Sequence, residues 1–202
     1  MSFRRASLLC TWAFVCAGLL GLAGPASATT AARLIRAGIG VGAVQLGGTL
    51  DDAIRAWGTP TDRLPTDFQT VYSWEPQGLV IFIDNSTRAI REIGIANSRV
   101  FATAGGVMST AGPRWLGSTP KQVRQEFGPP PHPYIHPSVA NGLVPATLVW
   151  RYSCRGIMFF FEKHGDPWYV SGITINPPED YWVDRQFSLK FNCKTGTLYR
   201  VR

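Results

Sequence analysis

Between Leu46 and Pro60 the apolar residues fall at Leu50, Ala53, Ile54 and Trp57, a spacing that places all four along one side of a helix. Thr49 stands where an N-cap belongs and Gly58 where the helix should stop. The period then shortens to two. VYSW at 71–74, GLVIFID at 78–84 and IREIGIA at 90–96 read as three strands, with a DNST turn at 84–87 between the last two. The same order returns downstream. Thr119, Pro120 and Gln122 supply an N-cap, a first-turn proline and the second half of a capping box. Val123 and Phe127 form the apolar side, and Gly128 is expected to end the helix in the left-handed conformation. LVWRYS at 148–153, GIMFFFE at 156–162 and WYVSGITI at 168–175 then read as three further strands, with turn chemistry at 163–167.

The two helical segments, LGGTLDDAIRAWGTP at 46–60 and LGSTPKQVRQEFGPP at 116–130, are offset by 70 residues. Tyr72, Trp74 and Gly78 align with Trp150, Tyr152 and Gly156 at an offset of 78, so the second copy carries eight extra residues between helix and first strand. This order predicts an α+β chain of two tandem helix-then-three-strand repeats. They form an antiparallel sheet with the helices on one face, because helices this short are marginal alone and must dock. The boundaries fall at 29–100 and 101–177. A C-terminal hairpin occupies 178–202, where Phe187, Leu189, Phe191 and Cys193 alternate with polar residues before a KTGT turn. Trp57 and Phe127 are expected to be equivalent anchors of the two helices.

The pattern LGxTxxxVxxxxGxP, followed by an aromatic strand and apolar strands, resembles the tandem-repeat β-lactamase inhibitory proteins and the SmpA/OmlA-type lipoproteins of the outer-membrane assembly machinery. The resemblance spans about 38–175. It implies that the helices cover one sheet face and that the other is concave, the face that in the inhibitors binds a partner.

The chain ends change the picture next. Arg4 and Arg5 precede an apolar run at 8–22 that closes on Gly24, Pro25 and Ala26-Ser27-Ala28, the order of a cleaved secretory signal peptide at 1–28. That run is too short to span a bilayer, and Cys16 follows residues too bulky for a lipoprotein signal. A secreted or periplasmic location follows, with no transmembrane segment after processing. Of the 20 basic and 13 acidic residues, processing removes only Arg4 and Arg5, which leaves a moderately basic chain and no argument for nucleic acid. Cys154 and Cys193 are the cysteines that remain, and in an oxidising compartment they read as one disulfide.

The middle strands are apolar at successive positions, with Leu79, Ile81 and Ile83 opposed to Val80 and Phe82, and Ile157, Phe159 and Phe161 opposed to Met158 and Phe160. Cover by the other repeat or by the tail is the simpler account of the second set. A partner-binding strip is the functional one. Tyr72, Trp74, Phe82, Trp150, Tyr152 and Phe160 are accordingly candidate contact residues, the first-strand aromatics being core side chains before they are contacts. GPPPHPYIHPSVANGLVP at 128–145 is expected to be neither strand nor helix but a semi-rigid lip presenting Tyr134. His132 and His136 within it lack acidic or thiol neighbours and give no metal site. No nucleophile elbow, HExxH or P-loop occurs, Glu162, His164 and Asp166 lie close in sequence but around the hairpin-turn chemistry of KHGDP, and GIGVG at 38–42 lacks dinucleotide spacing. No cofactor is expected. Asn85-Ser86-Thr87 matches a glycosylation acceptor and is equally turn chemistry. Arg185, Lys190, Lys194, Arg200 and Arg202 form a basic edge offering weak contact to anionic surfaces.

The function so read is an exported, non-enzymatic module that binds an exported or envelope protein. The alternatives are an inhibitor of an extracellular or periplasmic hydrolase such as a β-lactamase, a cell-envelope scaffold and, ranked last, a hydrolase with an unrecognised site.

Overall fold

The computed structural model describes residues 33–96, 101–108, 117–130, 132–136, 147–163, 165–179, 181–184, 189–195 and 197–200. The segment read as a signal peptide, His164 and the positions Arg185, Phe187 and Arg202 lie outside the described residues.

Short strands β1 (Leu34–Arg36), β2 (Gly40–Val41) and β3 (Val44–Gln45) open the chain. They lead into helix α1 (Leu50–Trp57) and strands β4 (Asp62–Pro65), β5 (Gln69–Trp74), β6 (Leu79–Asp84) and β7 (Ile90–Ala96). After β8 (Ala102–Thr103) the order repeats: helix α2 (Pro120–Phe127), then β9 (His132–His136), β10 (Thr147–Tyr152), β11 (Ile157–Lys163) and β12 (Trp168–Ile175). The chain ends in β13 (Tyr181–Asp184), β14 (Leu189–Asn192) and β15 (Thr197–Arg200).

Strands β4 to β7 and β12 to β9 form one eight-stranded antiparallel sheet in the order β4-β5-β6-β7-β12-β11-β10-β9. The last strand of each half meets at the middle, where Ile93 pairs with Ile175 and Ile95 with Ile173. On one face two rows of side chains cross six strands. The first is Trp74, Leu79, Ile95, Ile173, Phe159 and Trp150, and the second Tyr72, Ile81, Ile93, Ile175, Ile157 and Tyr152, all buried. The helices lie on this face. Ala53 of α1 and Val123 and Phe127 of α2 are buried, and Leu50 and Trp57 pack partly buried against the same core. Phe127 is 8% exposed while Trp57 is only half-buried, so the two anchors are not equivalent in burial.

Local chemistry matches across the halves. Thr49 with Asp52, and Thr119 with Gln122, each form a complete capping box. The Trp74 indole N–H donates to the Gly58 carbonyl at 2.8 Å, and the Tyr152 hydroxyl donates to the Gly128 carbonyl at 2.7 Å. A 3-10 turn closed by a left-handed glycine, Gly78 or Gly156, joins the first long strand to the second in both halves. The same bulge recurs on β7 and β12, where Arg91 is the extra residue opposite Phe82 and Ile83 and Ser171 the extra residue opposite Phe160 and Phe161.

Four expectations are corrected. Each helix is followed by four sheet strands, not three, because β4 and β9 add the outer edges. The proline-rich segment read as strand-free therefore contains β9, with Pro133 opposite Trp150. An edge strand needs a ladder on one side only, so it tolerates the missing N–H of Pro133, as β4 tolerates that of Pro65. The C-terminal hairpin is a three-stranded meander, β13-β14-β15. Gly128, like Gly58, stops its helix with positive φ but ψ near 180°, not in the left-handed helical region. That conformation is open only to glycine.

The disulfide joins Cys154, in the 3-10 turn between β10 and β11, to Cys193, just after β14, with Cα atoms 5.2 Å apart. Strand β8 pairs in parallel with β1, so the chain segment that begins the second half is tied back to the first. Gly38 and Gly156 explain part of GIGVG. Gly38 N–H donates to the Gly156 carbonyl at 3.1 Å, and a Cβ on Gly156 would lie 2.7 Å from the Gly38 Cα and 2.1 Å from the Asn176 carbonyl oxygen. These glycines serve backbone packing. Among the described residues no helix is long and apolar enough to cross a membrane.

Candidate functional site

The face away from the helices is built by the alternate residues of the same strands. Its first row runs Leu64, Val71, Phe82 and Glu92 across β4 to β7. The corresponding row of the other half runs from Tyr134 and Val149 through Phe160 and Gly172 to Ala96. Between them Val80, Gly94, Thr174 and Met158 occupy the centre. Small residues at the seam and large ones to either side make a trough. Its volume is about 410 Å³, and Phe82, Phe160, Glu92, Glu162, Gly94 and Gly172 are among the residues that line it.

Exposure differs between the two rows. Leu64 is 60% exposed and Val71 half-buried, whereas Val149, at the position matching Val71, is fully buried although it lies on this face. Phe68, beside the β4–β5 turn, is also exposed. Among the described residues the exposed apolar side chains of these rows are therefore on the first half.

The electrostatics of the trough run against those of the chain. The sequence carries a net charge of +7, yet among the described residues the lining includes Glu92 and Glu162 and neither lysine nor arginine. Burial raises the Glu92 carboxyl above its ordinary value, and Arg91 and Arg151 offset this only in part. Arg91 reaches Asp84 at 3.8 Å. Neither Glu92 nor Glu162 forms an ion pair among the described residues.

The contact residues expected from the sequence separate cleanly. Phe82 and Phe160 line the trough. Tyr72, Trp74, Trp150 and Tyr152 are on the helix side, 1–9% exposed, and engaged in the core through ring contacts such as Trp57–Trp74 at 5.4 Å and Trp150–Phe161 at 4.9 Å. No partner reaches them while the helices are docked, and their place as contact residues is withdrawn on that ground. Alternation decides this: on β5 and β10 they share the face of Ile81 and Phe159, whereas Phe82 and Phe160 point the other way. Tyr134 sits on β9, opposite Val149.

Gly94, Gly172 and Glu92 were not singled out from the sequence, and Glu162 was weighed only beside His164 and Asp166. The signal was present, since a glycine inside an alternating strand asks for a reason. His132 and His136 stand four residues apart along β9, about 13 Å at strand rise, too far to share one ion. Asn85 accepts from the Thr70 hydroxyl at 2.8 Å and donates to the Thr66 carbonyl at 2.7 Å, which ties the turn after β6 to the turn after β4. A smaller concavity of about 220 Å³ beside Thr49, Thr70 and Arg88 is edged by these same turn bonds.

The chain matches no family model, and no curated protein is significantly similar to it. Among solved structures it is similar to YjgB, a DUF4309 family protein from Bacillus subtilis, at 15% identity over 69% of this chain and 88% of that one, with a TM-score of 0.43. It is also similar to SAV1118, a cysteine-rich secretory protein from Staphylococcus aureus, at 10% identity over 73% of this chain, with a TM-score of 0.41. The chain spans about half of that second protein, 48% of its length. Likeness at this level transfers no function.

Proposed function

We propose that this chain is an exported, non-enzymatic binding module that grips another protein on the open face of its eight-stranded sheet. The observation that carries the reading is the trough across the β7–β12 seam, about 410 Å³ in volume and flanked by Phe82 and Phe160. Apolar side chains such as Phe82 and Phe160 that stay only half-buried on a sheet face mark a contact surface. The matched caps, helix stops, bulges and aromatic hydrogen bonds support a tandem duplication as the origin of that surface. Export through the leader at 1–28 fits the disulfide, which persists in an oxidising compartment.

A more specific version, inhibition of an exported hydrolase such as a β-lactamase, rests on the sequence resemblance and its concave binding face. The test is affinity capture from the exported proteins of the host, with the parent chain and a Phe82→Ala/Phe160→Ala variant side by side. A protein retained by the parent and lost from the variant supports the reading. Equal retention by both, with the variant folded, refutes the trough as the binding surface.

A further inference from the structure

The trough floor contains two strand glycines, Gly94 on β7 and Gly172 on β12. Neither has positive φ, so the backbone does not demand glycine. A Cβ on Gly94 would come no nearer than 3.7 Å to Val80, and one on Gly172 no nearer than 3.5 Å to Phe160. Both are ordinary contacts, so an alanine fits at either place. Glycine inside a strand weakens it. What the two glycines supply in return is depth directly over the seam, where an inserted side chain has room.

The chemistry of the walls selects that side chain. Phe82 and Phe160 are apolar with electron-rich ring faces, and Glu92 and Glu162 are carboxylates that form no close ion pair among the described residues, Arg91 and Arg151 acting on Glu92 only at longer range. A half-buried carboxylate is unfavourable until a cation meets it. An aromatic ring attracts the same cation.

Resting on the binding reading above, we infer that the trough receives an arginine or lysine presented on an apolar loop of the protein partner. Its stem lies over Gly94 and Gly172, and its charge is met by Glu92 and Glu162. Because the chain as a whole is basic, a cationic loop is disfavoured over most of the surface and favoured here. That contrast makes the trough selective as well as attractive.

The test uses the disulfide-bonded chain and a phage-displayed library of randomised eight-residue loops. Clones captured by the parent are sorted by their loss of binding to Phe82→Ala or Phe160→Ala. Gly172→Ala, which leaves the strand intact and fills the floor, serves the same purpose should the phenylalanine variants not fold. Trough-dependent clones are expected to carry arginine or lysine beside apolar residues, and to lose at least tenfold in affinity for Glu92→Gln/Glu162→Gln. Trough-dependent clones that lack a basic residue, or that bind the glutamine variant equally well, overturn the inference while leaving the trough a binding surface. If no captured clone depends on the trough, both the inference and the reading beneath it fall.

Discussion

Replacing Phe127 with alanine isolates the docking of α2. Val123 and Phe127 are the buried residues of this helix, and the Phe127 ring meets Phe159 at 5.1 Å and Tyr152 at 5.6 Å, with the Arg155 guanidinium 5.6 Å from its centre. Truncation removes on the order of 100 Å² of buried apolar surface, worth about 2.5 kcal/mol at about 25 cal/mol per Å². The cavity left behind, and the lost ring contacts, add about 1 kcal/mol. The total, about 3–4 kcal/mol, is set against a smaller loss of about 1–2.5 kcal/mol for Trp57→Ala, because Trp57 keeps part of its ring in water. Urea denaturation of the oxidised chain, followed by circular dichroism and tryptophan fluorescence, measures both, and coincidence of the two probes checks that one transition is being read. A loss below about 1 kcal/mol for Phe127→Ala, or a larger loss for Trp57→Ala than for Phe127→Ala, refutes the assignment of Phe127 as the deeper anchor.

Burial pushes the Tyr152 phenol up to about 12 from 10.0, so its neutral form is favoured in the folded state. The associated stability is present below pH 10 and disappears as the pH rises from 10 towards 12. Tyr152→Phe is expected to flatten that alkaline slope and, by removing the donor to Gly128, to lower neutral-pH stability by about 1 kcal/mol; an unchanged slope would show the phenol to be solvated. Glu92→Gln is expected to raise the melting temperature at neutral pH and to have no effect below the ordinary carboxyl range, since the raised carboxyl destabilises only when ionised; a lower melting temperature at pH 7 contradicts this. Replacing Cys154 and Cys193 with serine opens a link across 39 residues and is expected to cost at most about 4 kcal/mol, read by denaturation beside a thiol count of the unreduced parent; two free thiols in that parent refute the bridge. Gly94→Ala and Gly172→Ala are expected to leave stability unchanged or to raise it by up to about 1 kcal/mol; a clear loss in either means that the backbone requires glycine there after all.

The helices were legible because cap, apolar period and stop fall together in fifteen residues, and the capping boxes at Thr49 and Thr119 occur where those signals place them. The inner strands were legible from alternation. β4 and β9 were not, because an edge strand needs neither a continuous apolar pattern nor a full set of N–H donors. Proline in DRLP and HPYIH therefore concealed rather than excluded them. Of the candidate contact residues, Phe82 and Phe160 were recognisable as the apolar residues out of phase with Ile81 and Phe159. Tyr72, Trp74, Trp150 and Tyr152 share their aromatic character but sit in the opposite phase, so residue type alone misled where strand parity did not. Glu92 escaped notice because an isolated acid in an alternating strand looks like ordinary solvent-facing polarity, whereas in the structure it is half-buried.

The seam between β7 and β12 has a consequence for how the molecule behaves on dilution. Were the two halves separate polypeptides, the pairing of Ile93 with Ile175 and Ile95 with Ile173 would be a bimolecular equilibrium, and the trough would vanish wherever the halves parted. Within one chain the second half is held near the first at a high effective concentration, whatever the concentration of the protein itself. The trough is thus as intact in a single dilute molecule as in a concentrated solution. Any partner that it takes therefore meets the same surface at every concentration of the chain.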